Sequence, residues 1–378
     1  METKGFSAGL EGVVAAETRM SDVDGEAGRL IIAGFPVEEI APKASFEELA
    51  YLLWHDRLPN ATEIEAFRED MASRRDLPEI TLQVLRAAAQ RHSGPMDALR
   101  MAVATLSLES PIHQGAHAEA RCIVAKFPTI VAAFWRLRNG DEPIAPRADL
   151  RHAANYLYML TGQEPTEEFA RAVETYMNTV SDHAMNASTF AARVIIATRS
   201  DMVSAVTGAV GALKGPLHGG APGPALDMVF EIRDIERAEA YLRDKLGRGE
   251  RIMGFGHRIY KVRDPRTDVL AAASHSLFEN GGNAKLYELA MHVESTTLRL
   301  LEEYKPGRRL KTNVEFYTAL LLHGLGFDAE LFTPTFAIGR VIGWIGHCFE
   351  QQRTGKLIRP QSHYIGEVSR KYVPMAER

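Results

Sequence analysis

Apolar residues alternate with polar ones near the start of the chain and then recur with a helical period along most of the rest. Arg19 to Val23 and Arg29 to Ala33 flank Asp24-Gly25, a turn dipeptide, and this pattern predicts a β-hairpin. From there the period lengthens. Ser45-Phe46-Glu47-Glu48 reads as a capping box that opens a helix with apolar positions at Phe46, Leu49, Ala50, Leu52 and Leu53. Thr62-Glu63-Ile64-Glu65 reads as a second box, just after Pro59. Further helices are predicted near 96–108, 167–180, 186–198 and 201–213.

The 201–213 stretch is the most specific of these. Asp201 can cap it and Gly215-Pro216 can stop it. Its body is small (Ala205, Gly208, Ala209, Gly211, Ala212), so it should be buried with close helix neighbours. Pro222 to about Gly326 is a second helical segment, richer in charge and in Gly-containing turns. The chain then returns to a buried helix, Phe336 to Glu350, and a polar tail. The expected fold is all-α with one small N-terminal β-hairpin. A large multi-helix domain (1–219 and 327–378) is interrupted by a smaller helical one (220–326). A length of 378 residues agrees with two domains.

Composition narrows the function. Hydrophobic residues at 46% and charged residues at 25% are the balance of a globular soluble protein. A net charge of -5 argues against a nucleic-acid backbone as the main partner. Cys122 and Cys348 stand far apart, outside any thiolate metal motif, and fit a reducing compartment. No apolar run approaches a membrane span, and Met1 to Arg19 lacks a signal-peptide core, so a cytoplasmic enzyme is expected. Without a secretion signal, the acceptor tripeptide Asn186-Ala187-Ser188 is read as a chance match to a glycosylation motif.

Three kinds of side chain stand out as candidate chemistry. His183 follows Ser181-Asp182 at a helix end. His218 lies in Lys214-Gly215-Pro216-Leu217-His218-Gly219-Gly220, and His257 in Met253-Gly254-Phe255-Gly256-His257-Arg258. A single histidine is most often structural, but glycines let the backbone approach a ligand and put the imidazole on a loop. These histidines lack the spacing of a metal site. His113 and His117 do have a four-residue spacing, in a segment (Glu109 to Glu119) that reads as a loop without a third ligand nearby, so no metal is expected. Arg340 lies among Phe336, Ile338, Val341, Ile342 and Trp344 and should be buried. Its anionic partner would be either a structural carboxylate such as Glu350 or a carboxylate of the substrate. Arg266 follows Asp264-Pro265, and Arg359 lies in the tail. Glu315, with Val314, Phe316 and Tyr317 beside it, can have the raised pKa that a general base needs.

Taken together, KGPLHGG (214–220), MGFGHRIYKVRDPR (253–266) and the Ser181–Thr189 segment resemble the citrate synthase family, over nearly the whole chain. The resemblance implies an all-α homodimer whose small domain closes over oxaloacetate. It implies that His218 stabilises the enolate of an acyl-CoA, that His257 polarises and protonates the ketone, and that Glu315 removes the α-proton. It also implies that His183, Arg266, Arg340 and the partner's Arg359 hold the carboxylates, and that Arg258, Lys261 and Lys311 meet the CoA. Acetyl-CoA would be the co-substrate, with no tightly bound cofactor. Propionyl-CoA, as in 2-methylcitrate synthase, is the alternative. A catalytically weak binding protein and a metal-dependent hydrolase are the remaining readings. Most members carry aspartate where Glu315 stands, and some branches carry glutamate. Ala221-Pro222-Gly223-Pro224 also departs from the commoner pattern.

Overall fold

The computed structural model describes residues 6–108, 114–219, 223–256, 260, 262–279, 284–308 and 310–378. The hairpin forms as β1 (Ser21–Asp24) and β2 (Arg29–Ile32), antiparallel, with Ser21 opposite Ile32 and Asp24 opposite Arg29. Asp24 closes the turn by accepting the Glu26 and Ala27 amides. A short third strand, β3 (Phe35–Pro36), pairs with β2 and was not anticipated from the sequence.

The rest is helical. After α1 (Val37–Ile40) come α2 (Phe46–His55), α3 (Ala61–Ala72), α4 (Glu79–Gln90), α5 (Pro95–Thr105), α6 (Ala116–Arg138), α7 (His152–Thr161), α8 (Glu167–Thr179), α9 (Ala187–Ile196) and α10 (Met202–Leu213). Then follow α11 (Gly223–Ile232), α12 (Ile235–Gly247), α13 (Pro265–Glu279), α14 (Ala284–Tyr304), α15 (Val314–Gly324) and α16 (Phe332–Thr354). None of the described helices is long and apolar enough to cross a membrane.

The Ser45 capping box closes as expected, with Glu48 accepting the Ser45 amide at 2.8 Å. The second box sits two residues earlier than the sequence pattern suggested. Asn60 accepts the Glu63 amide and Glu63 accepts the Asn60 amide, because the helix starts directly after Pro59 and Thr62 is already inside it. The Glu109–Glu119 segment is not a loop throughout. Helix α6 begins at Ala116 and takes in His117, while His113 lies outside the described residues. Asn186 of the acceptor tripeptide is the N-cap of α9.

Helix α16 is the centre of the core, buried from Phe332 to Gln351 except at Thr333 and Phe336, and packed against α2, α6, α8, α9 and α10. Its glycines permit this. A Cβ on Gly339 would stand 2.7 Å from the Met177 carbonyl oxygen, and one on Gly343 only 2.2 Å from that of Ser181. The small-residue helix α10 is buried against α9, α5 and α16, as its composition requires. Helices α11 to α15 pack largely on one another, and α13 also lies against α8.

Candidate active site

The C-terminal end of α8 meets α16, the start of α9, the loop after α10, the loop before residue 257, and the N-termini of α13 and α15 around one cavity. Its volume is about 710 Å³, within the usual range for small-molecule sites. His183, His218, Arg266, Glu315 and Arg340 all line it. Five of the residues singled out in the sequence, spread over more than a third of the chain, therefore converge.

Arg340 is 2% exposed. Its Nε donates to the Val180 carbonyl oxygen at 2.5 Å, and its guanidinium lies over the Phe336 ring. Among the described residues no carboxylate lies within ion-pair distance of it. Burial pulls its pKa down to about 10, with Asp182 opposing. The sequence left Glu350 open as its partner. That carboxylate is instead held by Arg193 at 2.9 Å, by Thr18 and by the Arg19 amide. A guanidinium buried in this way favours an anion beside it, and Arg340 lines the cavity where one could enter. Arg266, equally buried, is already gripped by Asp264 through two hydrogen bonds, so it brings a partly compensated charge.

His218 sits on a turn in which its own amide and that of Gly219 both donate to the Gly215 carbonyl. Only glycine fits at 219, where a Cβ would lie 2.0 Å from the Leu213 oxygen. The Ser188 amide donates to His218 Nε2 at 3.3 Å and the Ser188 hydroxyl touches it at 2.7 Å. An amide N–H can only donate, so Nε2 is the acceptor and the ring proton is on Nδ1. Burial, with Arg340 second, depresses the imidazole pKa to about 4, so the ring is uncharged near neutrality. The Ser188 hydroxyl is itself fixed by Trp344 Nε1 and Asn186.

Glu315 occupies the first turn of α15, whose N-cap Asn313 accepts its amide at 3.0 Å. The carboxyl group has no hydrogen-bond donor among the described residues. Burial raises its pKa above the ordinary carboxylate value, and Arg266 and Arg251 only partly offset this. Asn313 also donates to the Gly256 carbonyl and its amide to that of Gly254, tying the loop before residue 257 to the helix of Glu315. His183 Nε2 lies 3.1 Å from the Tyr260 hydroxyl.

Some expected residues are not brought in. Arg359 is exposed in the tail, away from its own chain's cavity, and Lys311 is exposed and does not line it. His257, Arg258 and Lys261 lie outside the described residues. Sequence reasoning gave no role to Ser188, Asn313, Arg251 or Tyr260. Ser188 and Asn313 do lie inside quoted motifs, which was the one available signal. Among the described residues no group of three metal-binding side chains occurs.

Fold and cavity together define a class: an all-α enzyme whose cleft joins a buried cation, outside ion-pair distance of any described carboxylate, to an uncharged imidazole and a carboxyl group biased toward its acid form. Comparison with known proteins narrows it further. The family described as "Citrate synthase, C-terminal domain" matches residues 9–361. A citrate synthase of Haloferax volcanii is 41% identical, with 98% of each chain covered. A 2-methylcitrate synthase of Mycobacterium tuberculosis is 38% identical over 98% of this chain and 93% of its own. A Thermoplasma acidophilum citrate synthase, solved as a ternary complex with carboxymethyl coenzyme A and oxaloacetate, superposes with a TM-score of 0.87 at 31% identity, with 99% of each chain covered. The chain belongs to the citrate synthase family.

Proposed function

We propose that this protein condenses acetyl-CoA with oxaloacetate to give citrate and free CoA. A thioester α-proton is too weakly acidic for a free carboxylate to remove at neutral pH, so the site must stabilise the enolate oxygen as its charge develops. Glu315 takes the α-proton, and the Nδ1–H of uncharged His218 donates to the thioester oxygen. The enolate carbon then attacks the ketone carbon of oxaloacetate, and His257 protonates the resulting alkoxide. Water attacks the thioester carbonyl of the condensed product, and the CoA sulfur leaves with a proton. The chemistry needs no metal or tightly bound cofactor.

Arg340, Arg266 and His183 hold the oxaloacetate carboxylates, joined by Arg359 from the second subunit of a homodimer. Arg258, Lys261 and Lys311 meet the CoA phosphates. The helical segment 220–326 acts as the smaller domain, closing on a larger one made of 1–219 and 327–378, and the enzyme works in the cytoplasm. The observation that carries this reading is Arg340, a buried guanidinium with no carboxylate within ion-pair distance among the described residues, in the same cavity as Glu315 and His218.

The second reading is 2-methylcitrate synthesis from propionyl-CoA, favoured by the relative of that name. One methylene changes binding by only about 1–3 kcal/mol, so pocket shape decides. A thiol-release assay with oxaloacetate and either thioester separates the readings. Glu315→Gln should lower kcat about 1,000-fold with either one. Full activity in that variant would refute the base assignment, and consumption of neither thioester by the wild type would favour a binding protein.

A further inference from the structure

The turn that carries His183 is held from an unexpected direction. Ser21, at the start of β1 and 9% exposed, donates its hydroxyl proton to the Asp182 carboxylate at 2.5 Å. The same oxygen accepts the Ala184 amide at 2.7 Å. One hydroxyl therefore bonds the residues on both sides of His183. Ala184 has φ 50, a left-handed conformation that a residue with a side chain seldom adopts, so the turn needs an outside restraint to persist.

The direction of the Ser21 bonds is imposed by a buried relay. Arg193 donates to both Glu350 and His347 Nδ1, the latter at 3.0 Å, which leaves the imidazole proton on Nε2, 3.3 Å from Asp182. Burial favours the acid form of Asp182, but His347, Arg340 and Ser21 outweigh it and keep the carboxylate ionised. An ionised carboxylate can only accept, so the Ser21 proton points to it and the Ser21 lone pair faces the Ala184 amide. Residues 18 and 19, just before β1, bind Glu350 at the far end of the relay. At Gly343, α16 presses directly on the backbone of this turn.

We propose that Ser21, through its paired bonds to Asp182 and Ala184, is a positioning residue that aims His183 at oxaloacetate. This rests on the proposed reading of His183 as an oxaloacetate ligand, so the experiment includes His183→Ala. KM for oxaloacetate and for the acyl-CoA would be measured separately in Ser21→Ala, His183→Ala and the double variant, beside thermal unfolding. Ser21→Cys, of nearly the same size but a weaker hydrogen-bonding group, gives the same readout if the alanine variant does not fold.

Loss of the hydroxyl should raise KM for oxaloacetate about tenfold and leave KM for the acyl-CoA within about twofold. The double variant should be no worse than His183→Ala alone. The inference is overturned if Ser21→Ala and Ser21→Cys leave the oxaloacetate KM unchanged while His183→Ala raises it. It is also overturned if both KM values rise together, or if the two effects multiply in the double variant. If His183→Ala itself leaves the oxaloacetate KM unchanged, the ligand reading of His183 fails and takes this inference with it.

Discussion

Arg340 and Glu315 line the same cavity, yet their supports differ in kind. Arg340 is carried by a 23-residue helix pressed onto the end of α8, with two glycines admitting neighbouring carbonyls at distances no side chain would allow. A buried, hydrogen-bonded relay of Arg193, His347 and Asp182 lies behind it. Glu315 stands at a helix start beside a loop whose Gly254 and Gly256 have positive φ, joined to it mainly by the bonds of Asn313. The first wall is close-packed throughout, whereas the second joins a packed helix to a loop held by a few hydrogen bonds. A rigid wall suits the recognition of a small, highly charged acceptor, since preorganised charge loses nothing to reorientation. A wall that includes a loop can adjust to the ligand it meets, and Glu315 faces the cavity from the first turn of the helix beside that loop.

The largest effect expected from breaking this contrast is at Arg340. Arg340→Met should cut kcat/KM for oxaloacetate about 1,000-fold, the scale of losing one partner of a buried charge pair. Because the guanidinium is buried with no described carboxylate within ion-pair distance, the thermal midpoint of the free protein should hold or rise. A large fall in that midpoint would show that the wall needs the charge for folding and not for binding.

Glu315→Asp tests the other wall. It withdraws the carboxylate by about 1.5 Å, and a helix start unable to follow would lower kcat roughly 100-fold. A loss below about tenfold would show that the helix start and the loop tied to it follow the side chain. The pH profile belongs to the same test. As pH falls through the raised pKa of Glu315 the base becomes protonated, so kcat should drop about tenfold per unit on the acid side. That limb should lie above the ordinary carboxylate range, because burial is the dominant influence on this group. His218, with a pKa of about 4, should add no limb near neutrality.

The smallest effects compare two glycines by denaturant unfolding. Gly343→Ala drives a Cβ to 2.2 Å from the Ser181 oxygen, so backbone must shift, at about 1–3 kcal/mol. Gly254→Ala places its Cβ 3.1 Å from that of Phe316 and 3.2 Å from that of Ala225 at φ +85, a tight but not overlapping contact whose backbone strain costs about 1–2 kcal/mol. Equal losses at both positions would erase the distinction between the walls.

Local chemistry made several features readable in advance. The hairpin, the Ser45 box, the Asp201 cap and the buried small-residue helix depend on neighbours a few residues apart, and each is found as expected. The glycine-flanked histidine segments and the arginines gave the family, because a site that must meet a ligand's charges constrains residue types at fixed places along the chain. Local pattern was weaker at boundaries. The second box slipped by two residues and α6 started earlier than expected, since a helix can begin wherever tertiary contacts first favour it.

Contacts between distant residues decided the rest. Nothing near residue 340 told whether Glu350 or the cavity would face it, because Arg193, carried in by α9, settles that competition. The imidazole proton of His218 is placed by the Ser188 amide, and the His183 turn by a hydroxyl from β1. Hydrogen-bond direction and desolvation depend on what packs within a few ångströms. Sequence supplies the groups, and only the packed chain brings them within reach of one another.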